Sequence, residues 1–491
     1  MLHELIHALS QNEKRYFKLQ SSLMFERNDK RFVKLFDIIS NQKEYNEELV
    51  KQKCQEKHFP QLKAQLFEKI MDSLRAFHSE KTIQSIIANE MANCRLLLEK
   101  MMLKPAYKSL KRAATLAERY ELFAELIHIK QTEIDLLVAE GGTEKLQNHI
   151  NLLREQIPFW NKKTDNQLQV EIIYLLFVKL NREQDFIRTE KEQQALSQYI
   201  NVAIFKKENN ILTTRGKAYY YYILGLYHFL SGNFQESLKA FETQLELLET
   251  HKHFAEELIN DYAKALANVC LMYNKIKNLN KFNIHFQKLL SLKTNNQVLQ
   301  KQIQFRNYLL LLNYYVAQSQ IDNALKLIKK EEKLINALIE DPSINKSLVT
   351  EQNYILFDKV YVFLYLKQFD KANKIIHHYL NTSESSIKSD HYILARILHL
   401  FIQLKLANQD YVVNELRNLS RQLKEKEKLF QFEKICLQTI MELCNEQKEK
   451  NQKTIWKNFA NKISSLSGIK YERNAMFNFN FLEWAQNKLN E

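Results

Sequence analysis

Three groupings of residues in this chain have types and spacings that could do chemistry. The first is His3-Glu4-Leu5-Ile6-His7, an HExxH string. On a helix the two histidines share a face, where they could hold zinc while Glu4 acts as general base. The surroundings point the other way. Only two residues precede the string, which leaves no room for the sheet that holds a peptidase substrate, and no HxxGxxH continuation follows. Glu26 is a third ligand by distance alone, and Ser10 reads as the cap of a new helix just beyond. The string therefore reads as a terminal amphipathic helix with two partly exposed histidines and no metal.

The second grouping is a pair of histidine doublets, His251/His253 and His377/His378. A gap of two does not put both imidazoles on one helix face. Placement near helix C-termini, where a protonated imidazole meets the negative end of the dipole, accounts for them. The third is a basic stripe, Lys100, Lys104, Lys108, Lys111 and Arg112, which Lys63, Lys69, Arg75 and Lys81 could extend. Spacing of three and four residues along a helix could track phosphates. Only Tyr107 lies near enough to stack a base, and one ring is a poor platform. A solvated helix face is the plainer reading, with RNA or ribonucleoprotein binding through residues 51–120 as the alternative.

Glycine-rich phosphate loops are excluded by composition, since the whole chain of 491 residues has 6 glycines and 4 prolines. Tight turns, hairpins and phosphate loops need the left-handed or fixed-φ positions these residues supply. A chain almost without them can still form helix after helix. No Ser-His-Asp order and no repeated carboxylate pair stands out either, and no cofactor is implied. The five cysteines, Cys54, Cys94, Cys270, Cys436 and Cys444, are scattered without CxxC spacing, which indicates neither a disulfide framework nor a zinc knuckle. Free thiols fit a reducing compartment.

The opening sequence carries Glu4 and lacks the apolar core of a signal peptide. The longest apolar run, Ala218–Leu230, is thirteen residues, against the ~20 needed to span a bilayer. These features predict a cytoplasmic protein with no membrane span. The net charge is +14, and residues 51–120 carry 14 basic against 7 acidic groups, while residues 121–200 carry 9 against 13. Lysine outnumbers arginine 55 to 16, a bias that an AT-rich genome would also produce, so the charge alone assigns no partner.

Apolar residues recur at three- and four-residue spacing nearly throughout, which predicts helices. Breaks are expected at Asn28–Asp29, Phe59–Pro60, Gly141–Gly142, Pro158, Ser231–Gly232, Asp341–Pro342, Asn381–Ser386 and Ser467–Gly468. Ser10-x-x-Glu13 has the form of a capping box. Residues 221–241 read Tyr221-x2-Leu224-Gly225-x2-His228, then Ser237-x3-Phe241, around the turn Ser231-Gly232-Asn233-Phe234. Gly225 and Ser237 are small where two helices press together, and Tyr221, Leu224 and Phe241 fill the space around them. This unit resembles a tetratricopeptide repeat, with His228 in place of an aromatic and the final proline missing. Looser copies run through Leu266, Cys270, Phe282 and Phe286, through Tyr308, Leu312, Ala324 and Ile328, and through Leu356, Val360, Ala372 and Ile376. Their key positions, 225, 270, 312 and 360, lie 45, 42 and 48 residues apart, which requires helices longer than in the 34-residue repeat.

The resemblance implies an all-α, right-handed α-solenoid of tetratricopeptide-like helical hairpins, similar to bacterial proteins of that type. Its divisions would be a helical cap over 1–85, degenerate hairpins over 86–210, repeats over 211–382, and C-terminal hairpins with a closing aromatic helix, Phe477–Leu489, over 383–491. Carried residue by residue, the family's concave surface falls on Tyr219, Tyr222, Leu226 and Phe229. It continues through Lys264, Ala267, Leu271 and Asn274, and then through Arg306, Leu309, Asn313 and Val316. Aromatics beside Lys, Arg and Asn could hold a peptide, with the cations meeting a carboxylate. The function implied is a non-catalytic protein–protein scaffold, adaptor or regulator whose partner sits in that groove. The oligomeric state stays open.

Overall fold

The computed structural model describes residues 1–24, 30–55, 58–79, 82–141, 143–183, 186–341, 344, 348–382, 389–446 and 448–490. Glu26, Lys81, Gly142, Pro342, residues 383–386 and the break at Asn28–Asp29 lie outside them. The described residues are helical with no strand, and no helix among them is long and apolar enough to cross a membrane. Consecutive helices pack on one another along the chain. The chain divides into two compact units, residues 1–164 and 165–491.

The first unit contains α1 (Leu2–Ala8), α2 (Gln11–Met24), α3 (Lys30–Ser40), α4 (Glu47–Cys54), α5 (Phe59–His78), α6 (Ile83–Glu99), α7 (Leu103–Arg119), α8 (Phe123–Glu140) and the start of α9 (Thr143–Glu183). The capping box forms before α2. Ser10 N–H donates to Glu13 Oε2 at 2.7 Å, and Glu13 N–H donates to Ser10 Oγ at 3.2 Å. Two apolar clusters hold the unit, one around Ile6, Phe36, Leu66 and Ile70, the other around Cys94, Ala113, Leu126 and Leu136. Pro158 does not break the chain as its type suggests but lies inside α9. It is exposed, so the carbonyl it leaves unpaired four residues back can be hydrated, and buried Leu153 and Trp160 fix the turns on either side.

The second unit takes the rest of α9 and continues with α10 (Glu190–Ile200), α11 (Thr214–Leu230), α12 (Phe234–Thr250), α13 (Lys252–Glu257), α14 (Ile259–Lys275) and α15 (Leu279–Ser291). Then come α16 (Gln297–Ala317), α17 (Ile321–Glu340), α18 (Val349–Tyr365), α19 (Phe369–Thr382), α20 (Asp390–Lys405), α21 (Gln409–Glu425), α22 (Gln431–Asn445), α23 (Glu449–Leu466) and α24 (Phe481–Asn490). Helices pack in sequential pairs, such as α11 with α12 and α14 with α15. A second set of contacts skips one helix, joining α14 to α16 and α16 to α18.

One turn is used again and again. After α11 the chain passes through Gly232 at φ +73°, and Asn233 N–H reaches back to His228 C=O at 2.8 Å. The same left-handed residue and the same six-to-one hydrogen bond recur at Met101, Glu121, Lys277, Ser319, Lys367, Ala407 and Glu427. These are Schellman closures, which satisfy the last carbonyls of a helix and reverse the chain in two residues. Seven of these eight use a residue with a Cβ, at a cost of roughly 1–2 kcal/mol each. Gly232 is different because its Cα hydrogen faces Asn474, and a Cβ there would collide with Asn474 Oδ1. Gly225 is small where α11 and α12 press together. A Cβ would come within 2.8 Å of Phe241 Cζ, and Ser237 Oγ donates to Gly225 C=O at 2.8 Å across the same contact.

The end of the chain does not form one aromatic helix over Phe477–Leu489. Residues Arg473–Met476 make a 3-10 turn, an irregular stretch follows, and α24 begins only at Phe481. Phe477 is inserted among Phe186, Phe229 and Phe234, with ring centroids 4.5, 5.2 and 5.3 Å away. Phe479, Phe481 and Trp484 are buried in the apolar cluster of α18 to α23. The segment thus joins the unit's two cores.

Its placement is enforced by Arg188. This guanidinium is 4% exposed and donates to both oxygens of Glu433, at 2.9 and 3.1 Å, and to Glu472 Oε2 at 3.4 Å. Asp390 is 4.0 Å away, and the Phe430 ring lies under the guanidinium carbon at 4.6 Å. Burial opposes the charge, but these three carboxylates hold the guanidinium pKa above its ordinary value. Glu472 also accepts from the backbone amides of Gln431 and Phe432, both at 2.9 Å, which caps α22. Removing one member of such a group leaves uncompensated buried charge. Arg188→Met is expected to destabilise the second unit by about 3–5 kcal/mol. Urea unfolding followed by circular dichroism checks this, with Lys191→Met, on the adjacent helix, as the surface control.

Candidate ligand-receiving cavity

The second unit forms a half-open cavity of about 370 Å³ between α9, α11, α12, α14, α16 and α18. Helix α11 starts where Thr213 Oγ1 accepts the Gly216 amide at 2.9 Å, and it directs Tyr222, Leu226 and Phe229 to one wall. Helix α14 contributes Asn260, Lys264, Ala267 and Leu271, and α16 contributes Gln302, Arg306 and Leu309. Spacings of three and four residues on each helix put these side chains on one face.

Eight of the twelve residues named from the repeat register, Tyr222, Leu226, Phe229, Lys264, Ala267, Leu271, Arg306 and Leu309, therefore line one cavity. Tyr219 stands just outside the lining, stacked on Tyr174 at a centroid distance of 4.6 Å. Asn274 and Asn313 do not reach it. Asn274 is 1% exposed and its Nδ2 donates to Asn313 Oδ1 at 2.9 Å, while Asn313 Nδ2 donates to Asp358 Oδ2 at 3.2 Å. Val316 is outside the lining as well. Sequence reasoning missed two walls. Tyr174, Leu175 and Val178 belong to α9, which the expected break at Pro158 obscured, and Glu351 and Tyr354 belong to α18. The spacing Tyr174, Val178, Asn181 was the available signal on α9.

Arg306 is the most constrained polar group of the site. Its side chain is 6% exposed, Nε lies 3.9 Å from Glu351 Oε1, and Nη1 is buried with no hydrogen-bond partner. Desolvation lowers its pKa, partly opposed by Glu351 and Tyr222. Lys264 Nζ is held 3.3 Å from Asp261 Oδ1 and 3.4 Å from the Tyr174 hydroxyl. Burial pushes the Tyr222 phenol well above its usual range, so it is a neutral donor. Phe477 packs against two lining residues, Phe229 and Tyr354, with centroids at 5.2 and 6.3 Å. Lys275 anchors it, donating to Phe477 C=O at 3.2 Å with its ammonium 4.0 Å from the ring centroid.

The other groupings do not contribute to the lining of this cavity. Lys104, Lys108, Lys111 and Arg112 are exposed along α7, and Arg112 Nη1 is 3.4 Å from Glu90. Lys100 is exposed too but follows the end of α6, separated from α7 by the left-handed Met101. His3 and His7 lie on α1 with rings 4.3 Å apart, and His3 Nε2 is 3.0 Å from Gln42 C=O. Among the described residues no group of three or more His, Cys, Asp or Glu could hold a metal ion. His251 terminates α12, with Nδ1 3.1 Å from Leu247 C=O, and His377 lies beside Asn381 on α19.

No protein-family model, no curated protein and no solved structure matches the chain.

Asp358 gives the site's surroundings a pH dependence. Burial raises its pKa from 3.8 to about 7, against the lowering effects of Asn313 and Lys275. An acid with a raised folded pKa holds its proton more tightly in the fold than in the unfolded chain. Its contribution is therefore most favourable below the unfolded value and is lost as pH rises through the folded one. Stability of the second unit is expected to fall between about pH 4 and pH 7 through this group. Asp358→Asn should flatten that slope in urea midpoints measured across the range, and an unchanged slope would contradict the assignment.

Proposed function

We propose that the chain is a non-catalytic scaffold or regulator that receives a partner at the cavity between α9, α11, α12, α14, α16 and α18. In this reading the second unit is a right-handed solenoid of tetratricopeptide-like hairpins acting in the cytoplasm. The observation that carries it is the convergence of Tyr222, Leu226, Phe229, Lys264 and Arg306, placed on one surface by the repeat register, around a single space. Pockets of this kind pair apolar walls with a few polar groups that fix orientation.

The basic face of α7 supports the alternative, a polyanion contact, because Lys104, Lys108 and Lys111 are exposed together. A tagged full-length chain would be used to capture partners from lysate after nuclease treatment and a high-salt wash. Ala267→Trp fills the cavity from α14. It is expected to abolish capture of a defined protein while far-ultraviolet circular dichroism stays unchanged. Capture that is indifferent to Ala267→Trp contradicts the proposal. Recovery of only nuclease-sensitive material, lost when Lys104, Lys108 and Lys111 become Glu, transfers the function to α7.

A further inference from the structure

The charges in the cavity specify a ligand more narrowly than its shape does. Its walls are largely carbon, from Leu226 and Phe229, Ala267 and Leu271, Leu309 and Tyr354. Two of the lining residues carry a buried polar atom without a hydrogen-bond partner, the guanidinium donor Arg306 Nη1 and the amide acceptor Asn260 Oδ1. The Glu351 carboxylate, with a side chain 28% exposed, lies 3.9 Å from Arg306 Nε. That separation is too long for a hydrogen bond, so each charge retains capacity for another partner. Lys264 adds little capacity because Asp261 already holds it.

Formal charge around the cavity balances, with Arg306 and Lys264 against Glu351 and Asp261. A purely anionic ligand would satisfy Arg306 but set its charge against two carboxylates. A purely cationic one would satisfy Glu351 and oppose Arg306. A zwitterion answers both groups, with its carboxylate on Arg306 Nη1 and its ammonium between Glu351 and Asn260 Oδ1. We propose that the cavity binds a free α-amino acid with a large apolar side chain, whose carbon skeleton fills the space against Leu226, Phe229 and Leu271. The inference rests on the reading of this cavity as the chain's binding site, and it names a regulating ligand there. The volume of about 370 Å³ lies near the small end of ligand pockets. Phe477, packed on Phe229 and Tyr354, already covers part of the wall that a longer peptide would need. An internal peptide residue also lacks the adjacent pair of opposite charges.

Calorimetry on the full-length chain tests this with L-phenylalanine and L-leucine, compared with 3-phenylpropionate and phenethylamine, each of which lacks one charge. The amino acids are expected to bind one per chain and to compete with each other. Each half-charged analogue should bind about ten- to a hundredfold more weakly, the range for loss of a charge-assisted hydrogen bond. Arg306→Gln and Glu351→Gln should weaken L-phenylalanine by a similar factor with circular dichroism unchanged. If either variant fails to fold, the analogue series on the natural chain decides alone. Absence of binding by both amino acids, equal binding of 3-phenylpropionate, or full binding by folded Arg306→Gln would overturn the proposal. Protein capture that depends on position 267 while amino acids fail to bind would sink this inference and leave the partner reading standing. Amino-acid binding with capture indifferent to Ala267→Trp would do the reverse.

Discussion

The guanidinium of Arg188 and the carboxylate of Glu433 meet in the interior of the second unit, 245 residues apart in sequence. Taking either charge out of water is costly, and the cost is offset by a further hydrogen bond to Glu472, the nearby charge of Asp390 and the face of Phe430. Glu472 belongs to the last stretch of chain, so satisfying this charge fixes where that stretch lies. Arg473 then donates to Gly232 C=O at 2.8 Å, and Asn474 Nδ2 to Ile187 C=O at 2.8 Å. Phe477 follows into the aromatic cluster beside the cavity. A stack of helices held only by neighbour contacts could open anywhere along its length. Here a group of buried ions ties α10, α20, α22 and the terminal segment together.

Much of the architecture could be read from composition. Six glycines among 491 residues leave few ways to build sheets or phosphate loops, and the described residues form helices and no strand. The contact of Gly225 and Ser237 with Phe241 was legible because it needs small residues at fixed spacing. The turns were less so. Lys277, Ser319, Lys367 and Ala407 occupy left-handed positions that sequence rules reserve for glycine or asparagine. The hydrogen bonds of the closure and the packing of the flanking helices outweigh about 1–2 kcal/mol of strain at each. Pro158 misled for a related reason. A helix interior tolerates proline when the freed carbonyl faces water and the neighbouring turns are held by buried side chains.

The cavity was legible in part, and the division is instructive. Tyr222, Leu226, Phe229, Lys264 and Arg306 follow from helical period, because a register that fixes one inward residue fixes those three and four positions on. Asn274 and Asn313 obey the same period, yet a buried carboxylate on the next helix recruits them into a hydrogen-bonded ladder. No local pattern announces Asp358. The walls from α9 and α18, and the cover supplied by Phe477, depend on contacts across 50 to 300 residues that a single sequence does not display. The alternate outcome for the terminal aromatics has the same origin. Their amphipathic spacing predicts a helix, but Glu472 and Asn474 are committed elsewhere and hold the chain in a turn until Phe481.

By fixing the terminal segment, the Arg188 ion group is expected to keep the cavity formed. Hydrogen exchange on the full chain, comparing Arg188→Met with the natural residue under conditions where both remain folded, tests it most directly. Coupling predicts that amides of residues 471–490 and those of α11 near Phe229 lose protection together. Faster exchange confined to residues 471–490, with α11, α14 and α16 as protected as before, would show the cavity to be independent of the ion group and contradict the account.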